Sequence, residues 1–581
     1  MLNALDPIRR RLERPLLFDG LAFALASVAA GLLLMEIGWD LDAAARASVI
    51  RSSFALAGLV LLLEVLRVVI LRSERTSLWQ KLLMTGIPAL ALAQMFVAEA
   101  LFGETGGLAL RGTGLLMLAT SQLTLVASAL LRLVRLTDRA WFRKASPGML
   151  VVGSFVTVIL IGTLLLKTPK ATSGGITWID SIFTSTSAVC VTGLIVRDTA
   201  VDFTFSGQAM ILVLIQIGGL GVMTLAYFLA LMSGQGISLR DRVFLNEMLS
   251  QNNVLMVGRF VLRIVLITLL LEALGAWILH LRWGGLGGGL WHSVFHSVSA
   301  FCNAGFSTFS SGLMDDAARE ERVVQTVIMV LIVLGGLGFV TAGRVPGLVF
   351  APLRRKLLET LGRRGPKVRV PVHVRLVLFT TGILLLGGAL GFTWVDAADP
   401  WPAAFNSVTA RTAGFNITEM ADLSAAGVVL MCFLMVVGGS PGGTAGGLKT
   451  TTVALGVLEI RRIVLGRTDV NLWGRRVSRD VLDRCHATLV LSFLWIIASV
   501  VAVAALEPRL ALDDVIFECV SAFSTVGLSR GITGDLGTAS KLVIITTMLV
   551  GRIGILAFAI SLGGRPRPRH FRYPEARLPL N

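Results

Sequence analysis

From near its beginning to residue 562 the chain alternates long apolar stretches with short polar ones. A helix needs roughly 20 apolar residues to cross a bilayer. Stretches of that order occupy about 18–38, 47–72, 77–102 and 108–136, and then about 148–167, 206–232, 258–281, 323–350, 372–395, 425–459, 486–506 and 541–562. The first four read as two helical hairpins. In the later eight, each pair is divided by a shorter stretch containing Ser, Thr and Gly. Such stretches cannot span, and irregular backbone survives inside a bilayer only where protein or water covers it. They are expected to be re-entrant pore helices, each followed by a turn.

The turns repeat. They read Ser187-Ala-Val-Cys-Val-Thr-Gly-Leu194, Ser299-Ala-Phe-Cys-Asn-Ala-Gly-Phe306, Thr409-Ala-Arg-Thr-Ala-Gly-Phe415 and Ser521-Ala-Phe-Ser-Thr-Val-Gly-Leu528. Each has a small or β-branched residue before one glycine and an apolar residue after it. Gly193, Gly305, Gly414 and Gly527 lie 112, 109 and 113 residues apart. A period near 110 residues, each unit span, re-entrant helix and span, predicts an all-α polytopic membrane protein closed into a pseudo-fourfold ring. The units run 148–235, 236–350, 351–465 and 466–563, with about four extra spans in 1–147 and a basic tail at 564–581.

The span after each turn carries a second repeat: Gly218-Gly219-Leu220-Gly221, Gly335-Gly336-Leu337-Gly338, Gly438-Gly439-Ser440-Pro441 and Gly551-Arg552-Ile553-Gly554. Glycines of this kind allow close helix packing. Arg552 stands where the other units have Gly219, Gly336 and Gly439, so one cation breaks the symmetry below the turns.

Composition agrees with a membrane class: 54% of the 581 residues are hydrophobic and 15% charged. The net charge of +17 suggests nucleic acid until its placement is considered. Lys and Arg fall in short loops between spans, the pattern that orients membrane proteins. Arg9, Arg10, Arg11 and Arg14 precede the first span, and Arg132, Arg135, Arg139, Arg143 and Lys144 follow the fourth, whereas Asp40, Asp42 and Glu104 lie in the alternate loops. The expectation is a cell-membrane protein with cytoplasmic N- and C-termini, no cleaved signal and no nucleic-acid partner. Cys190, Cys302, Cys432, Cys485 and Cys519 have no metal or disulfide spacing and read as small apolar residues.

A potassium ion gives up water only where oxygens replace it, and carbonyls aimed at a common axis do so. Glycine permits the dihedrals that point them inward. One turn alone reads better as a helix cap with a left-handed glycine, but four at one period reverse that preference and predict a carbonyl ring. The candidate ion-binding residues are Val191, Thr192 and Gly193; Asn303, Ala304 and Gly305; Thr412, Ala413 and Gly414; and Thr525, Val526 and Gly527.

These turns, the segment from Gly438 to Thr452 and Arg552 resemble the Trk/Ktr/HKT superfamily of potassium transporters, most closely its bacterial KtrB branch, with TrkH second. The resemblance covers about 148–563. It implies potassium uptake through a pore subunit, passive or assisted by sodium, with no cofactor bound by this chain and no enzyme activity. It also implies a homodimer, each subunit with its own pore, and a separate cytosolic nucleotide-binding RCK regulator. By the same resemblance 438–452 is an intramembrane gate loop. The expected gate residues are Gly438, Gly439, Gly442, Gly443, Gly446, Gly447, Lys449 and Arg552.

Other constellations carry less. Gly442 and Gly447 have phosphate-loop spacing, but Leu448 intervenes before Lys449 and the stretch lies within an apolar span. His292 and His296 lack the glutamate and third ligand of a zinc site, and read as structural. Glu518 and Arg411 are costly charges near the turns and read as braces behind them. The tail Arg565-Pro-Arg-Pro-Arg-His570 reads as an anchor on anionic lipid or a dock for the regulator. The alternatives are an HKT-like carrier that passes sodium, disfavoured by Gly193 on the family analogy, and a membrane enzyme, for which no catalytic constellation recurs at membrane depth. A membrane scaffold would not need four aligned turns.

Overall fold

A computed structural model of the chain describes residues 42–70, 147–221, 257–285, 289–344 and 370–562, with isolated positions between 21 and 39 and at 89 and 93. Of the four expected N-terminal spans, 47–72 corresponds to a helix at Ala43–Ile70. The expected span 108–136, most of 18–38 and of 77–102, and the tail at 564–581 lie outside the described residues.

Four helices among the described residues are long and apolar enough to cross a membrane: Gly148–Leu166, Leu262–Trp283, Val372–Val395 and Arg479–Leu506. Each opens one unit. Their outward side chains, Leu160, Leu270, Leu390 and Phe493 among them, are more than half exposed, as a surface facing lipid tails requires. Each is followed by a short helix, at Trp178–Cys190, Gly289–Cys302, Pro400–Thr409 and Leu512–Ser524. Ten to fourteen residues rise only about 15–21 Å, short of a bilayer. These are the re-entrant helices.

A shared device seats three of them. Ser185, Ser297 and Ser407 donate hydroxyl hydrogen bonds to the opening helix, at the carbonyls of Ile159 (2.7 Å), Glu272 (2.6 Å) and Leu385 (2.8 Å). Opposite each serine is a glycine, Gly162, Gly275 or Gly388, where an added methyl would overlap the hydroxyl. The missing side chain permits the approach, and the hydroxyl turns it into a hydrogen bond.

The inner helices are Phe205–Leu220, Arg322–Gly336, Ala425–Val436 and Thr538–Ile553. Each packs against the re-entrant helix of the next unit, and the last packs against that of the first. The hydrophobic cores lie at these seams. One joins Ile211 and Leu214 of the first unit to Phe295 of the second and to Val515, Ile544 and Met548 of the fourth. A second joins Phe301 and Ile328 to Phe405 and Phe415, and a third joins Met431 and Leu434 to Phe517 and Val520. Lys541 adds a polar tie across the closing seam, 2.7 Å from the Asp180 carboxylate. The ring closes through its packing as well as through its sequence period.

The inner spans correct the sequence reading. Uninterrupted spans were expected at 206–232, 323–350 and 541–562, with a broken helix only in the third unit. The structure ends the inner helices at Leu220, Gly336, Val436 and Ile553, and the fourth resumes at Ile555 with a bend of 102°. The cause is the fourth residue of the Gly-Gly-x-Gly repeat. Gly221, Gly338 and Gly554 take φ of 81°, 78° and 92°, which no α-helix contains. The third unit has Pro441 there and leaves the helix by another route.

Candidate functional site

Each re-entrant helix ends in two left-handed residues separated by one other. Val191, Asn303, Thr412 and Thr525 have φ of 56°, 60°, 72° and 52°, and the glycines two residues on have φ of 90°, 71°, 77° and 92°. In the first and fourth units the first of the pair, Val191 or Thr525, is the helix cap, so the capping residue is not the glycine. The third helix is capped by Ala410 in right-handed conformation, two residues before Thr412. Val191 N–H donates to Ala188 O (3.1 Å) and Thr192 N–H to Ser187 O (2.8 Å), with the same pattern at Asn303 and Thr525. Left-handed conformation costs a β-branched residue about 1–2 kcal/mol. Three of these four left-handed residues are β-branched, so strain is concentrated here. Positive and negative φ in alternation turn successive peptide planes the same way and align their carbonyls.

The four glycines touch in sequence. A methyl on Gly193 would overlap the Ala304 carbonyl, and one on Gly305 would lie 2.8 Å from the Ala413 carbonyl. At Gly414 it would overlap the Val526 carbonyl, and at Gly527 the Thr192 carbonyl. All twelve expected turn residues are thereby brought to one closed ring, and all are buried except Gly305, Gly414 and Gly527, which are half-buried.

The hydroxyl opening each turn staples it from behind, a role the sequence reading did not assign. Ser187 Oγ accepts from Gly193 N–H (3.1 Å) and donates to Leu194 O (2.7 Å). Ser299 Oγ donates to Phe306 O (2.8 Å), Thr409 Oγ1 donates to Phe415 O, and Ser521 Oγ accepts from Gly527 N–H (3.1 Å). The signal was present, because a hydroxyl residue begins all four turn strings. It stands six residues before glycine in three turns and five in the third, which is one residue shorter.

Below the ring lies the segment 438–449. Its ends meet as a bridge between Val437 and Leu448. It docks on the break in the second inner helix: Ser440 N–H donates to Gly336 O (2.9 Å), Phe339 N–H to Gly442 O (2.9 Å) and Thr444 N–H to Gly335 O (3.3 Å). A methyl on Gly446 would overlap the Thr525 hydroxyl, and one on Gly447 would lie 3.1 Å from Ser524 Cα, so the segment fits directly beneath the fourth turn. Thr444 Oγ1 donates to Phe301 O (3.3 Å) at the end of the second re-entrant helix.

Three cations hold backbone carbonyls of this segment. Arg552 donates to Thr444 O and to Gly218 O of the first inner helix. Lys449 Nζ donates to Ala445 O (2.6 Å), and Arg411 Nη2 to Gly438 O (2.8 Å). None of the three belongs to an ion pair among the described residues. An uncompensated cation at membrane depth is expensive, and it repels any cation moving along the axis.

The remaining candidates sit outside this column. His292 Nδ1 lies 2.6 Å from Thr308 Oγ1 and His296 Nε2 2.9 Å from Ser307 Oγ, with both rings stacked on Phe309. Glu518 accepts from Ser529 Oγ (2.8 Å) and Thr533 Oγ1 (2.5 Å) beyond the fourth turn. Sequence reasoning overlooked Glu272, a buried carboxylate accepting from Gln216 Nε2 (3.1 Å) behind the second turn. Its signal was a lone acid in an apolar span.

Four re-entrant turns meeting at one axis, inside a shell of apolar helices and above a cation-held segment, define a pore-loop membrane transport protein. The chain belongs to the TrkH family of cation transport proteins, whose sequence profile matches residues 117–564. That match begins within the fourth expected N-terminal span. "Ktr system potassium uptake protein B" of Vibrio alginolyticus is 34% identical over 447 residues, 74% of this chain and 94% of that protein. "Potassium/sodium uptake protein NtpJ" of Enterococcus hirae is 33% identical over 462 residues, 75% of this chain and 98% of that protein. The fold is shared with the crystal structure of the potassium transporter TrkH from Vibrio parahaemolyticus, at a TM-score of 0.59 and 19% identity, covering 84% of this chain and 99% of that one.

Proposed function

We propose that this chain is the pore subunit of a Ktr/Trk-type potassium uptake system. The observation that carries the reading is the closed contact of four left-handed glycines, each against the carbonyl of the next turn. In this reading the carbonyls of residues 191–193, 303–305, 412–414 and 525–527 replace the hydration of a potassium ion, and the glycine layer discriminates most sharply. Segment 438–449 with Arg552 is the gate. Arg552 supplies the repulsion, and the segment supplies the carbonyls that hold it there.

The chain works in a cell membrane with both termini cytoplasmic, as a homodimer with one pore per subunit. A separate cytosolic nucleotide-binding RCK protein regulates it, and its basic loops and tail rest on anionic lipid. The name of the Enterococcus relative favours one second reading, in which sodium is an activator or co-substrate. The test is growth of a potassium-uptake-deficient bacterium on low potassium, with and without sodium. Rescue in both media supports passive potassium uptake, and rescue only with sodium supports the second reading. No rescue by well-expressed protein beside its regulator contradicts both.

A further inference from the structure

Three units fasten the inner helix directly to the end of the re-entrant helix. A methyl on Gly218, Gly335 or Gly551 would overlap the carbonyl of Val189, Phe301 or Phe523, each within its own unit. The third unit lacks this contact. Gly438, at the equivalent position, faces Gly446 O of its own loop instead. Arg411 bridges the space: its Nη2 donates to Gly438 O at 2.8 Å.

Arg411 is 6% exposed and precedes Thr412, the first left-handed residue of the third turn. Its Nε and Nη1 are buried without hydrogen-bond partners, and no carboxylate among the described residues pairs with it. The third turn is also the one shortened by a residue. Beyond the apolar packing of Ala410 with Met431 and Met435, its polar tie to the end of the inner helix is one charge-assisted hydrogen bond, whose acceptor begins the segment that Arg552 and Lys449 hold farther along.

We propose that Arg411 is a positioning residue for ion discrimination, setting the third turn through Gly438 so that one corner of the ring depends on the position of the gate segment. This rests on the reading of the turns as a potassium filter. Withdrawal of 438–449 removes the one acceptor that the Arg411 side chain has among the described residues, and the third turn loses the strut that three glycine contacts replace elsewhere. Discrimination is then strongest with the segment in place and weaker once it withdraws.

The test uses full-length protein in liposomes, with rubidium uptake competed by potassium and by sodium. Wild type is compared with Arg411→Gln, with deletion of Gly442 to Gly446, and with both changes together. Arg411→Gln is expected to reduce the preference for potassium over sodium roughly tenfold, the fold-change for one lost charge-assisted hydrogen bond. The deletion shifts preference in the same direction, and the combination goes no further than the larger single change, because both cut one link. Unchanged competition in Arg411→Gln at reduced flux, or additive shifts, would overturn the strut. If Arg411→Gln does not fold, the deletion decides alone: higher flux with unaltered competition overturns the proposal. Wild-type rubidium uptake that potassium fails to compete would instead sink the filter reading, and this inference with it.

Discussion

A methyl group on Gly527 would overlap the carbonyl oxygen of Thr192, which puts the last turn of the chain against the first. The same relation runs from Gly193 to Ala304, from Gly305 to Ala413 and from Gly414 to Val526. Every glycine thus has two duties. It adopts a left-handed φ, and it leaves room for the carbonyl of the neighbouring unit.

Substitution should therefore harm the four positions unequally. The overlap is deepest at Gly527 and least at Gly305, where the methyl stops 2.8 Å from the Ala413 carbonyl. Gly527→Ser is expected to lose most of the potassium preference, Gly193→Ser and Gly414→Ser somewhat less, and Gly305→Ser least. Strain alone adds about 1–2 kcal/mol at each site. Rubidium uptake competed by potassium or sodium reads the order. Equal behaviour of all four with wild type would remove these turns from the filter.

The gate makes a paired prediction. Arg552→Ala removes the donor to Thr444 O and Gly218 O, and deletion of Gly442 to Gly446 removes the segment that Arg552 holds. Each change should raise flux per folded protein roughly tenfold, the scale of one lost charge-assisted hydrogen bond. Together they should be less than additive, because both lower one barrier. An arginine that merely joins helices gives the opposite result for Arg552→Ala: less flux and less protein.

Much of this was legible in the sequence, for a physical reason. A fourfold ring built from one chain must repeat its turns, and the period near 110 residues follows from Gly193, Gly305, Gly414 and Gly527. Arg552 stood out because three glycines occupy its place in the other units. The inner-helix breaks were less legible. Hydropathy runs on past Gly221, Gly338 and Gly554, and a glycine in an apolar span does not declare its φ. The left-handed turn residues were hidden more thoroughly, because Val191, Thr412 and Thr525 are residues that local preference excludes from that conformation, and only the assembled ring holds them there. Arg411 invited the reading of a brace behind the turn. Its partner, Gly438 O, lies across the fold and has no signal in the sequence.

Acid should loosen the end of the fourth opening helix. Glu507 follows that helix and accepts from Gly537 N–H (2.6 Å) and Ser540 Oγ (3.0 Å), with Arg509 at 3.4 Å. The bond from Gly537 N–H, chiefly, holds its carboxyl below the ordinary value. A depressed folded value contributes stability above the unfolded value of about 4.3, and that contribution is lost as pH falls through the folded value. Glu507→Gln should lower the melting midpoint at pH 7 and flatten its decline below about pH 4. A mutant and wild type with parallel profiles across that range would contradict the assignment.

The most direct measurement of the central claim is rubidium uptake into liposomes by the full-length protein, side by side with Gly527→Ser, each competed by equal concentrations of potassium or sodium. If four glycine turns form a potassium filter, potassium suppresses uptake by the wild type far more than sodium does, and the gap narrows in Gly527→Ser. Uptake that the two ions suppress equally in the wild type, or a gap that Gly527→Ser leaves intact, would contradict it.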